Sequence, residues 1–138
     1  MAQKVRDIMT GSPVTVSPDT DLATAAKKMR DENVGAILVT DGDDLTGLVT
    51  DRDLVVRGLA AEANPTSKLG GIISHATATV APDDDLDKAV SLMRERAVRR
   101  LPVVENGRPV GIVSIGDLAM EKDEDSALAD VSAAEPNL

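Results

Sequence analysis

The chain contains no phenylalanine, tyrosine or tryptophan. Its interior must be packed from Val, Leu, Ile, Ala and five Met, yet 42% of its residues are still hydrophobic. Small aliphatics of this kind fill a core when helices lie close on a short sheet. The bases of a nucleic acid would find no aromatic ring to stack on, and a net charge of −9 repels phosphate backbones. Both features argue against a nucleic-acid partner. Cysteine is absent as well, which removes disulfides and thiolate chemistry. With a single histidine besides, almost no ligands remain for zinc, and no metal site is expected. No apolar run approaches the roughly 18–20 residues of a membrane span, and the opening "MAQKVRDIMTG" lacks the apolar stretch of a signal peptide. The expected location is the cytoplasm, away from membranes.

What the chain does contain is a repeat. The phrase "GLVTDRDL" at 47–54 returns as "GIVSIGDL" at 111–118, an offset of 64 residues. In this register Gly47 meets Gly111, Thr50 meets Ser114 and Asp53 meets Asp117. Without a gap, Thr15-Val16 also meets Thr79-Val80, and Leu22, Ala25 and Met29 meet Leu86, Ala89 and Met93. A period this long signals tandem duplication of a small domain rather than a solenoid.

Each copy reads β-α-β-β-α. "PVTV" is a short strand, and Leu22, Ala25, Ala26 and Met29 fall at i, i+3, i+4 and i+7 of an amphipathic helix. Asp19, Thr20 and Asp21 supply that helix with a cap and suit its dipole. "AILVT", the turn "DGDD" and "LTGLVT" predict a hairpin, and "DRDLVVRGLA" predicts a second helix. The second copy repeats this with a helix from Leu86 to about Ala97, a hairpin around "ENGR", and a helix from Ile115 to about Lys122. The fold class is therefore mixed α/β (α+β). Units of about 55–60 residues bury too little surface to be comfortable alone, so the two are expected to pack about a pseudo-twofold axis. The predicted boundaries are 4–60 and 72–122, joined by a linker at 61–71. Residues 121–138 hold six acids against one base, and the tail from 123 is expected to be disordered.

The repeated phrase supports two readings. Thr50-x-x-Asp53 and Ser114-x-x-Asp117 are capping-box patterns. Equally, a strand that ends at a helix N-terminus leaves N–H groups to meet an anion, and a carboxylate there can accept from the adjacent hydroxyls of a ribose. The dense basic stretch "RERAVRR" (94–100) is likewise either a helix C-terminus favoured by the dipole or a phosphate clamp. "DGDD" lacks the ligand spacing and terminal Glu of a calcium loop and reads as a turn. His75 is expected to be exposed, and Met29 and Met93 to be core residues. No paired base and nucleophile, metal cluster or phosphate-cradling Gly-rich loop points to an enzyme.

In element order, in the Gly-hydrophobic-hydrophobic-Thr/Ser-x-x-Asp phrase and in "RRLPVVENGRPVGIVS", residues 4–122 resemble the cystathionine-β-synthase (CBS) domain, which occurs as tandem pairs called Bateman modules. The resemblance is to small members with no enzyme, channel or transporter attached. It implies a non-catalytic sensor that needs no cofactor and binds AMP, ADP, ATP or a related adenosyl ligand between the units. It also implies a homodimer formed through the helices that begin at Asp51 and Ile115, and an unknown protein partner. On the family pattern Asp53 holds the ribose and the Thr50 hydroxyl meets the ribose or a phosphate, with Arg99, Arg100 and Arg52 completing one charged cleft. Adenine would lie near Thr15 and Val16, or near Thr79 and Val80. A weaker second cleft would join Ser114 and Asp117 to Gly35 and Ala36, the uncharged counterparts of Arg99 and Arg100. The alternative is a ligand-free structural or interaction protein acting through protein contacts.

With no aromatic absorbance of its own, the protein cannot mask an adenine band. If it copurifies with an adenine nucleotide, its near-ultraviolet spectrum is expected to be that of the nucleotide, and spectra before and after acid extraction check this.

Overall fold

The computed structural model describes residues 3–75 and 78–122. The chain begins with α1 (Val5–Ile8), β1 (Thr10–Gly11), β2 (Thr15–Val16), α2 (Leu22–Glu32), β3 (Ala36–Asp41) and β4 (Asp44–Thr50). It continues through α3 (Asp51–Asp53), a π-helical stretch Leu54–Leu59, a 3-10 turn Leu69–Gly71 and β5 (Ser74–His75). The elements α4 (Leu86–Arg96), β6 (Arg100–Glu105), β7 (Arg108–Ser114) and α5 (Ile115–Lys122) complete it. Residues 123–138, expected to be disordered, lie outside the described residues. Among the described residues no helix is long and apolar enough to cross a membrane.

The described residues form two compact units, one divided from the other after Ser12 and before Ala78: the stretch from Pro13, and the opening segment together with the stretch from Ala78. In the unit that starts at Pro13 the sheet order is β2-β3-β4-β5. β2 runs parallel to β3, as strands joined by a helical crossover must, and β3 and β4 form an antiparallel hairpin. The helix between them buries Leu22, Ala25 and Met29, and the Asp21 carboxylate accepts from the Thr24 N–H at 2.8 Å to cap it. These side chains meet Val16, Ile37, Val39 and Val49 from the sheet. In the calcium-like "DGDD", Asp41 pairs with Asp44 and Gly42-Asp43 is the two-residue turn of this hairpin, with Gly42 at φ +65°. The other unit repeats the plan: Leu86, Ala89 and Met93 of α4 pack with Leu101, Val103 and Val113. Its hairpin turns through Asn106 and Gly107, both at positive φ, the pairing that a twisted two-residue turn favours.

The compact units are cut at different points from the sequence repeats. Leu69, Ile72 and Ile73, assigned from sequence to the linker and the start of the second repeat, are core residues of the unit that starts at Pro13, and β5 adds to β4 through Gly47↔His75 and Leu48↔Ser74. Reciprocally, Val5 is fully buried in the other unit's core, and β1 adds to β7 through Gly11↔Gly111 and Thr10↔Ile112. These two sets of pairs are superimposed by the 64-residue offset. The opening segment of each repeat thus covers a hairpin edge that would otherwise expose unpaired N–H and C=O groups. This explains Gly111: a Cβ there would lie 2.6 Å from Met9 Sδ and 2.9 Å from the Thr10 carbonyl oxygen.

A second departure is the helix after β4. Only Asp51–Asp53 is α-helical, and the chain then widens, with the Ala60 N–H donating to the Val55 carbonyl and the Ala63 N–H to that of Gly58. The wide turn seats Gly58 against Leu22, where a Cβ would come within 3.2 Å of Cδ1. It leaves Val55, Val56 and Leu59 exposed, Leu59 at 73%.

At the start of α4 the Asp84 carboxylate accepts from the Ala81 N–H at 2.8 Å and lies 3.3 Å from the Lys88 ammonium. The backbone bond first, and then the lysine, hold its pKa below the ordinary aspartate value. Because the folded value is the lower one, this stabilisation is present at neutral pH and lost as pH falls through it.

Candidate functional site

In each unit the hairpin's last residue is also the cap of the helix that follows. The Thr50 Oγ1 accepts from the Asp53 N–H at 3.1 Å, while the Asp53 carboxylate accepts from the Thr50 N–H at 2.9 Å. The Ser114 hydroxyl and the Asp117 carboxylate do the same at 3.2 and 2.8 Å. The capping-box reading therefore holds in both copies.

It leaves the binding reading intact. A hydroxyl that accepts in the cap keeps its own O–H as a donor, and a carboxylate has about four lone-pair directions, of which the cap uses one. The Asp53 side chain is 13% exposed, half sunk beside the β4 terminus, with its Oδ1 3.9 Å from Arg57 Nε. Arg57 was not singled out from the sequence, although its i+4 spacing from Asp53 is the signal that could have found it. The corresponding residue after Asp117 is Glu121, so only the Thr50–Asp53 cap has a cation at that position.

The ladders settle which backbones adjoin each cap within a unit. Ala36 lies directly opposite Thr50, and the Gly35 carbonyl accepts from the Asp51 N–H at 3.0 Å. Arg100 lies directly opposite Ser114, and the Arg99 carbonyl accepts from the Ile115 N–H at 2.8 Å. Directly opposed residues share a sheet face, so Arg100 and Ser114 leave their sheet on the same side. Among the described residues neither Arg99 nor Arg100 forms an ion pair. Arg52 is exposed, and its N–H donates to the Asp51 carboxylate. Thr15 and Thr79 are exposed, but Val16 and Val80 are core side chains at 7% and 2% exposure. At both places the threonine side chain is the exposed one and the valine side chain packs inward. His75 lies in β5, and its side chain is outside what is described.

A family profile described as the CBS domain matches the chain twice, over residues 5–58 and 69–124. The chain belongs to the CBS-domain family. Hypoxic response protein 1 of Mycobacterium tuberculosis is 35% identical over 130 residues, covering 93% of this chain and 91% of that protein. A crystal structure of Hypoxic Response Protein I with two coordinated zinc ions superposes with a TM-score of 0.76 at 35% identity, covering 85% of this chain and 97% of that one. The CBS domain pair of protein MJ0100, in complex with 5'-methylthioadenosine and S-adenosyl-L-methionine, superposes with a TM-score of 0.80. It covers 91% of this chain and 100% of that one, and at 23% identity the likeness concerns the fold.

The caps themselves are measurable without any ligand. Thr50→Ala and Ser114→Ala are each expected to cost about 0.5–2 kcal/mol of stability, and Thr50→Ser much less. Urea titrations followed by far-ultraviolet circular dichroism, at unchanged m-value, check this.

Proposed function

We propose that this CBS protein is a non-catalytic cytoplasmic sensor of an adenine nucleotide or related adenosyl ligand, working as a homodimer that signals through a protein partner. The observation that carries the reading is the free chemistry of the Thr50–Asp53 cap: an O–H donor and spare carboxylate acceptors side by side, as a ribose requires. Arg99 and Arg100, unpaired among the described residues, supply the phosphate end, because a guanidinium fork suits phosphate oxygens. Arg52 and Arg57 add positive charge beside Asp53. That the MJ0100 pair holds adenosyl compounds is compatible with this choice, which rests on the residues of the present chain. Zinc is not carried over from Hypoxic Response Protein I, since the present sequence has no cysteine and one histidine.

The register of Arg100 opposite Ser114 favours a second reading, in which the arginines serve the Ser114–Asp117 cap of their own unit. Titration calorimetry of AMP, ADP, ATP and S-adenosyl-L-methionine separates the two. Affinities are expected in the micromolar range and to weaken with salt, since no aromatic ring adds stacking energy. Asp53→Ala is expected to weaken binding about 10–150-fold, the equivalent of losing charge-assisted hydrogen bonds of about 1.5–3 kcal/mol, and Asp117→Ala much less. The double change Arg99→Ala with Arg100→Ala should penalise nucleotides in order of phosphate charge and leave adenosine nearly unaffected. The reverse order of the two aspartates establishes the second reading. Absence of heat for every adenosyl ligand at millimolar concentration leaves the ligand-free interaction module.

The homodimer is supported by apolar side chains that the helices leave in water: Val55, Val56 and Leu59 after α3, and Met120 on α5. Light scattering is expected to give about twice the 14.4 kDa chain mass, and to do so equally for a chain ending at Lys122. A monomer at micromolar concentration removes the dimer from the proposal.

A further inference from the structure

The Thr50–Asp53 cap uses one oxygen of its carboxylate and leaves the other facing a cation. Asp53 Oδ2 accepts from the Thr50 N–H at 2.9 Å, whereas Oδ1 lies 3.9 Å from Arg57 Nε. That separation makes an ion pair but is too long for a hydrogen bond, so the lone pairs of Oδ1 stay open to a third group. Four residues on, Arg57 reaches back toward the helix start, the direction in which helical side chains lean. Its side chain is 55% exposed, which leaves guanidinium donors open to a further partner.

The internal repeat shows that capping does not require this arginine. At the 64-residue offset the counterpart of Arg57 is Glu121, a change of sign. The Ser114–Asp117 cap nevertheless closes at 3.2 and 2.8 Å. Duplication has therefore kept the hydroxyl and the carboxylate and reversed the charge four residues beyond them. On the hairpin side, the residues adjoining the first cap are Gly35 and Ala36, which carry no charge.

The chemistry of a nucleoside gives that charge a target. A carboxylate that holds a ribose takes its 2'- and 3'-hydroxyls. The 3'-hydroxyl and the 5'-carbon are borne by adjacent ring carbons, so a group touching the carboxylate is within a side chain's reach of the 5'-substituent. Adenosyl ligands differ at this substituent. Nucleotides carry phosphate there, 5'-methylthioadenosine a neutral thioether, and S-adenosyl-L-methionine a sulfonium cation. A guanidinium attracts the first and repels the third.

We infer that, on the adenosyl reading of the Thr50–Asp53 cap, Arg57 is its specificity-determining residue, committing the cap to ligands with an anionic 5'-substituent and rejecting the sulfonium class. When the ribose takes Oδ1, the guanidinium exchanges its long pairing with the carboxylate for the phosphate.

Titration calorimetry of AMP, 5'-methylthioadenosine and S-adenosyl-L-methionine tests this, because the three share the adenosyl half and differ in charge at its 5' end. Chains with Arg57, Arg57→Gln and Arg57→Glu are compared. All carry Asp117→Asn, which keeps an acceptor in the second cap and removes its charge. With Arg57 in place, AMP is expected to bind most tightly and S-adenosyl-L-methionine least. Arg57→Gln should weaken AMP about fivefold, the upper range for an exposed ion pair, and leave 5'-methylthioadenosine unchanged, which also reports an intact fold. Arg57→Glu, the sign found in the second repeat, should weaken AMP further and tighten S-adenosyl-L-methionine. Equal weakening of AMP and 5'-methylthioadenosine overturns the inference, because Arg57 then only supports the cap. So does S-adenosyl-L-methionine binding the Arg57 chain as tightly as AMP. In both cases adenosyl binding itself stands. Absence of heat for all three ligands with Arg57 in place removes the adenosyl reading, and the selection with it.

Discussion

Where each hairpin ends, a side-chain hydroxyl and a carboxylate three residues later exchange hydrogen bonds with each other's backbone N–H, and the rest of each unit is arranged around that junction. The exchange satisfies donors that a helix start leaves without partners, and it fixes the direction in which the chain leaves the sheet. Asp51 and Ile115 are then tied to the carbonyls of Gly35 and Arg99, so the start of one strand, the end of its neighbour and the start of a helix meet at one place. The same carboxylate that stabilises the turn keeps part of its surface open beside it, 13% in the case of Asp53. Stability and binding draw on one group because a cap uses only part of a carboxylate's accepting capacity.

Duplication preserves this junction and changes what stands next to it. Ala36 opposite Thr50 becomes Arg100 opposite Ser114, and the Arg57 beside Asp53 has Glu121 as its counterpart. Positive charge therefore adjoins the first cap from its own helix and the second from its own strand. The backbone tolerates this divergence because the ladder bonds and caps do not depend on which side chains sit at Ala36 or Arg100. The helices diverge further: one opens into π-helical turns that press Gly58 onto Leu22, and the other stays α-helical and walls an apolar groove with α4.

Much of this was legible in the residues. The 3.6-residue spacing of Leu22, Ala25 and Met29, and of Leu86, Ala89 and Met93, marks faces that do bury. The turn chemistry of "DGDD" and "ENGR" marks hairpins, and the hydroxyl-x-x-Asp pattern marks caps. These signals are local, spanning four to eight residues, and local geometry decides them. Which of Thr15 and Val16, or of Thr79 and Val80, turns its side chain inward was not legible, because extended segments this short carry too little pattern to say which side chain faces the core. Arg57 went unremarked because "VVRGL" reads as an ordinary helical turn.

By itself, then, the sequence determined the duplication, the element order within each copy, the caps and the aliphatic character of the core, since each follows from residue type and short-range spacing. Only the tertiary structure decided where the compact units begin and end. Val5 packs with Val80 and Leu101, and Leu69 with Val16 and Ile37, so each repeat contributes its opening segment to the core built by the other. Nothing in those segments announces it, because which sheet edge a strand joins depends on which edge is free and within reach when the whole chain has folded.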